Sequence, residues 1–166
     1  MQTVFAMFDN YEDARAAVNT LLARYFDEEE INAMAQVQIA KERIEANLET
    51  IDVEVTDEVG RKTVRGLDAM LGRQQPVQIT DVGNVYAAGS LATLLARTAS
   101  APDAADGGLK GALMDFNVGE ETAGTYRQGI RDGGFLVWVR TDDDRASKAA
   151  SILRNQKGQR VITVGG

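Results

Sequence analysis

The sequence predicts an α+β fold, and three observations carry that expectation. An apolar run near the start, Thr3-Val4-Phe5-Ala6-Met7-Phe8, leads into an acidic cap and an alanine-rich helical pattern reaching Leu21. Near the other end Phe135-Leu136-Val137-Trp138-Val139-Arg140 leads in the same way into Asp142-Asp143-Asp144 and an alanine-rich helical pattern reaching Leu153. Ala14 and Ala146, Ala17 and Ala149, and Leu21 and Leu153 then fall at one constant offset, so the ends read as copies of a single βαβ unit. Two such units combine into one sheet with right-handed crossovers and both long helices on one face, a ferredoxin-like α/β sandwich. This divides a single domain, 1–166, into a first half at 1–40, a mostly helical insertion at 41–132 and a second half at 133–166. The alternative is a three-layer sheet that takes in a strand at 76–80 or 85–88.

Each element has a local reason. Residues 3–8 are apolar on both faces, which suits a central strand. Asp9 followed by Glu12 resembles a capping box, and Tyr11, Ala14, Ala17, Val18, Leu21, Leu22 and Tyr25 recur at helical spacing. After the acidic break at Asp27–Glu30, alternation predicts a strand over Ile31–Ile39. Glu42–Leu48 fits a short helix and Ile51, Val53 and Val55 alternate as a strand would. This segment reads as a solvated excursion, or else as a lid or docking arm. Val64, Leu67, Met70 and Leu71 predict a short helix closed by Gly72. Pro76–Thr80 suggests a strand with proline first, Asp81-Val82-Gly83-Asn84 is turn chemistry, and Val85–Ala88 reads extended.

Leu91, Leu94 and Leu95 start a helix ending near Ser100, followed by a small-residue loop that contains Pro102. Leu109–Phe116 and Ala123–Ile130 are amphipathic helices, the second opened by Glu120 and Glu121, whose charge complements the helix dipole. Gly133-Gly134 stops it, and Val161–Val164 closes the chain as a strand.

Composition bounds the chemistry. A chain of 166 residues, 44% apolar, is long enough for one domain with its own core. With no cysteine it has no disulfide, thiolate metal site or cysteine nucleophile, and with no histidine it lacks the commonest general base and metal ligand. The net charge of −7 argues against a nucleic-acid partner. The opening residues show no leader pattern, and the run Val85–Ala96 is too short and too polar to span a bilayer, so the expectation is a soluble cytoplasmic protein without membrane association.

Val4-Phe5-Ala6-Met7-Phe8-Asp9-Asn10-Tyr11-Glu12-Asp13-Ala14 resembles the opening of the bacterial heat-induced general stress proteins of the 17M-like (YflT-like) domain family. Val85–Ala92, Gly119–Tyr126, Gly133–Val137 and Asp142–Ala146 are similar to that family too. The likeness covers roughly the first 40 and last 60 residues. The middle departs from it, because Lys41–Arg73 is charged and Lys110 interrupts the cluster Gly107, Gly108 and Gly111. The resemblance implies a stress-associated domain, non-catalytic or uncharacterised, with no catalytic residues to carry over.

The candidate site is Gly83–Ser90. Gly89 and Ser90 could present backbone N–H groups at a helix start, a natural anion site, with Gly83 and Tyr86 beside it. The spacing fits neither a Walker A loop nor a dinucleotide fingerprint, and Ser90 as a plain N-cap with Tyr86 in the core is the competing reading. Asp142–Asp144 reads as N-capping rather than a metal site, and no metal or cofactor is expected. Arg61, Lys62, Arg65 and Arg73 concentrate positive charge on what reads as a solvated face. Trp138 reads as a core residue whose indole N–H needs a partner. The expected function is a stress-associated, non-catalytic binding or assembly module that forms a homo-oligomer or meets a protein partner. The alternative is a sensor of a small anionic ligand at Gly83–Ser90.

Overall fold

In the computed structural model the described residues are 1–24, 26–46, 53–56, 62–79, 82–100 and 108–165. Tyr25, Ile51, Arg61, Thr80, Asp81, Pro102 and Gly107, each used in the sequence reading, lie outside them. In chain order the elements are β1 Gln2–Phe8, α1 Tyr11–Ala23, β2 Ile31–Gln36, α2 Val37–Ala46, β3 Val53–Thr56, β4 Lys62–Arg65, α3 Leu67–Gly72, β5 Val77–Ile79, β6 Gly83–Ala88, α4 Ser90–Ser100, α5 Leu109–Asp115, α6 Glu120–Arg131, β7 Phe135–Thr141, α7 Asp143–Asn155 and β8 Gln159–Gly165. A 3₁₀ turn, Glu28–Glu30, precedes β2.

The architecture is α+β around a six-stranded antiparallel sheet in the order β5-β6-β2-β7-β1-β8, and β3 and β4 form a separate hairpin. β1 is central because it is apolar on both faces, and it pairs with β7 along its whole length, from Gln2 opposite Thr141 to Phe8 opposite Phe135. The two strands that head the terminal repeats are therefore neighbours in one sheet. β1 and β2 run the same way with β7 between them, and β7 and β8 run the same way with β1 between them.

Side-chain alternation sends two cores to opposite faces. Val4, Ala6 and Phe8 of β1 join Val137 and Val139 of β7 beneath Ala14, Ala17, Val18 and Leu21 of α1 and Ala146, Ala149 and Leu153 of α7. Phe5, Leu136 and Trp138 point the other way, under Leu95 of α4, Leu113 of α5 and Tyr126 and Ile130 of α6. Phe5 stacks on Trp138 with ring centroids 5.4 Å apart. Trp138 is fully buried, and its indole N–H has no hydrogen-bond partner among the described residues.

Several expectations are corrected. The insertion is not simply a helical cover, since β5 and β6 extend the main sheet beside β2 while α4–α6 cover its second face. The sheet thus takes in both of the middle strands that the alternative named as candidates. β2 stops at Gln36, and Val37 opens a helix directly instead of continuing the strand to Ile39. Alternation runs on past the boundary because Val37 and Ile39 still pack on the α1–α7 core from helical positions. Val64 belongs to β4 and not to α3. The helix cap at α1 is Asn10 rather than Asp9: its Oδ1 accepts the Asp13 N–H at 2.9 Å, and Asp9 accepts instead from Gln159.

One polar network ties the turn before β2 to the second half of the sheet. Glu30 accepts from the Thr141 hydroxyl at 2.8 Å, from Arg145 at 3.1 Å and from the Asp27 backbone at 3.0 Å. Arg145 lies over the Phe26 ring, 4.5 Å from its centroid. Thr141 is fully buried, so removing Glu30 strands its hydroxyl. Glu30→Ala is expected to lower stability by about 2 kcal/mol in urea unfolding, and Glu30→Gln by clearly less, because the amide oxygen still accepts.

Candidate functional site

The four residues singled out in the sequence do not converge. Gly83 starts β6 with φ +88° and lines an open cleft of about 440 Å³ together with Gln38, Lys41 and Asn84. Tyr86 pairs with Ala35 and is buried on the α1–α7 side of the sheet. Gly89 and Ser90 lie beyond the other end of β6 and line a second cleft of about 440 Å³ with Glu28, Glu29, Met70, Arg73 and Gln74. The segment is therefore a strand and a helix start, not a loop, and its ends are separated by about 20 Å of strand.

The start of α4 has a specific internal partner. Asn32, almost fully buried on β2, places its Oδ1 3.0 Å from the Leu91 N–H and 3.1 Å from the Ala92 N–H. The capping oxygen thus comes from a neighbouring strand and not from Ser90. Gly89 makes this possible. Its φ is +108°, and a Cβ there would sit 2.2 Å from Asn32 Oδ1 and 2.8 Å from the Ile31 carbonyl. The Gly-Ser pair read as an anion cradle is thus a close backbone approach that lets an amide oxygen take the helix donors. In the cleft outside it, Arg73 is ion-paired with Glu28, and Glu29 adds a second carboxylate.

A different feature, not singled out in the sequence, stands at the far side of the sheet. Among the described residues β8 is a seven-residue edge strand, hydrogen-bonded to β1 on one side only. It contains no proline and no lysine, and Arg160 is its one charged residue. Arg160 is left-handed (φ +50°) where the pairing with β1 shifts register, so that two residues of β8 oppose Ala6. This bulge twists one end of the strand, and Ile162–Gly165 continue in regular pairing.

The α5–α6 connection and α6 itself hold β8 at two points on the α4–α6 face. At one end the Asn117 amide donates to the Gly165 carbonyl at 3.2 Å. At the other, the Tyr126 hydroxyl donates to the Arg160 carbonyl and Arg160 lies 3.9 Å from Glu121. Beside the Gly165 end, Phe5, Leu91, Leu94 and Phe116 line a shallow apolar groove of about 210 Å³ rimmed by Asp115 and Arg140. Leu94 is 50% exposed and Met114 41% exposed, so apolar surface is open to solvent here.

Asp142 occupies the N-cap of α7, and Asp143 receives the chain's ammonium group at 3.0 Å. Among the described residues no group of three or more carboxylates could hold a metal ion, and no helix is long and apolar enough to cross a membrane. No protein-family model, curated protein or solved structure matches the chain.

Two measurements check this geometry. Gly89→Ala is expected to cost about 2–3 kcal/mol and Asn32→Ala about 1–2 kcal/mol in urea unfolding. Their double variant should lose less than the sum, because removing the amide relieves the Asn32 clash while the Ile31 carbonyl contact and the positive φ remain. Burial pushes the Tyr126 phenol above its ordinary range, with Arg160 opposing weakly. The unfolded chain therefore releases this proton first. The Tyr126 contribution should be intact below about pH 10 and fall as the pH rises further, a slope that Tyr126→Phe removes.

Proposed function

We propose that this chain is a non-catalytic assembly module that self-associates by pairing the β8 edges of two copies. The observation that carries the reading is the contrast between the sheet's two edges: β5 has three residues, whereas β8 has seven and is unprotected by proline or lysine. An unpaired strand of that length is a template for another strand. An antiparallel edge is complementary to itself about a twofold axis normal to the sheet, so a second copy of this chain is the simplest partner. The sheets of two copies would become continuous, with the exposed apolar groove residues close to the junction.

The order β2-β7-β1-β8 of the four terminal strands, with α1 and α7 together on one face, supports a ferredoxin-like pair of split βαβ units carrying a two-strand extension. The stress-associated setting rests on the resemblance at Val4–Ala14 and the later matching segments. The rival reading, a small anionic-ligand sensor along Gly83–Ser90, has less behind it. Asn32 already takes the α4 donors, and two glutamates face the same cleft.

Light scattering on size-exclusion fractions across a wide concentration range tests the proposal, with a dimer as the expected species. Thr163 is exposed in the regular part of β8, so Thr163→Lys should leave the fold intact and weaken dimerisation about tenfold. A strict monomer at every concentration, or a dimer indifferent to this change, defeats the edge reading.

A further inference from the structure

We infer that Arg160 sets the register of the β8 junction by pairing with Asp115 of the second copy, an inference that rests on the edge-pairing reading above. Edge-to-edge pairing of two antiparallel β8 strands has a twofold axis normal to the sheet. Such an axis keeps the α4–α6 faces of both copies on the same side and sets the Arg160 end of one β8 beside the Gly165 end of the other. On that same face the Arg160 end carries the guanidinium beside Glu121, and the Gly165 end carries the Asp115 carboxylate beside Arg140. Arg160 reaches the α4–α6 side, where it lies near Glu121. Asp115 is exposed at the end of α5, two residues before the asparagine that is bonded to Gly165.

Register follows from the strand's only charge. With the axis at Ile162, Arg160 stands opposite Val164 of the second copy, one strand spacing of about 4.8 Å away. Val164 packs on the α4–α6 core, and its neighbour Gly165 lines the same groove as Asp115. In this register Ile162 faces its own symmetry mate, and Val161 faces Thr163. Sliding the axis toward Arg160 brings the two guanidiniums together, which is repulsive. Sliding it the other way shortens the paired stretch. Within its own chain Arg160 is 48% exposed and only loosely associated with Glu121, at 3.9 Å, so its side chain is free to extend across the junction. Two copies with a net charge of −7 each repel one another, and a pair of local attractions at the junction offsets part of that.

The test is a charge exchange read by light scattering and sedimentation, with circular dichroism on every variant. Arg160→Asp should fold, because aspartate is among the residues that tolerate the left-handed backbone at this position. Asp115→Arg should fold too, since a cation at the end of α5 suits the helix dipole. Each variant alone sets like charges across both symmetric contacts and should dimerise about tenfold more weakly than the parent. An equimolar mixture of the two has opposite charges at both contacts and should recover affinity close to the parent's. A purely structural role for either residue cannot produce recovery on mixing. If the parent dimerises through a Thr163-sensitive edge and the mixture stays as weak as its components, the register inference is overturned and edge pairing stands. If the parent is monomeric at every concentration, both fall.

Discussion

The pairing of β1 with β7 sets the conditions for everything else in this molecule. Both strands are apolar on both faces, so placing them side by side creates a sheet that cannot leave either face in water. One face is covered by the helices of the two terminal repeats. The other has no helix from those repeats, and α4, α5 and α6 of the central segment must supply its cover. Burying residues such as Phe5, Leu136 and Trp138 at roughly 2 kcal/mol each gives that second layer its driving force. Trp138 also carries a cost, because its indole N–H is buried without a partner among the described residues, in the layer that needs the ring for packing.

Covering the second face creates a connection problem, and Asn32 and Gly89 resolve it together. The chain must leave β6 at the sheet and turn at once into α4, which brings helix donors against the buried strand β2. The Ala92 donor is buried and requires an acceptor. Asn32 provides one from within the sheet, and Gly89 leaves room for it. A short polar contact thereby fixes the angle at which one whole helical layer enters, and the same contact occupies the donors that an anion would use.

The extension that solves the packing of one side leaves the other side open. β5 and β6 move one edge of the sheet outward and end it with a three-residue strand, a poor template for further pairing. At the opposite edge β8 remains long, held from inside by Tyr126 and Asn117 through its carbonyls at Arg160 and Gly165. The bulge at Arg160 disrupts one end alone.

How much of this could be read from residues depends on the range of the interactions involved. The terminal strands and helices were legible because their signals are local: apolar runs at 3–8 and 135–140, and alanine and leucine at helical spacing in α1 and α7. The α4, α5 and α6 helices were legible for the same reason. The end of β2 was not, since Val37 and Ile39 satisfy a strand's alternation and a helix's packing face equally well. Neither reading of the α4 start, anion site or Ser90 cap, could reach its acceptor, since Asn32 lies 58 positions before Ser90 in the chain. The sequence by itself determined which segments are apolar, how often, and therefore which elements form. Tertiary structure alone decided which strand lies at an edge, which face each core occupies and which side chain answers a helix end. Those outcomes depend on spacings of a few ångströms between residues that no local pattern links.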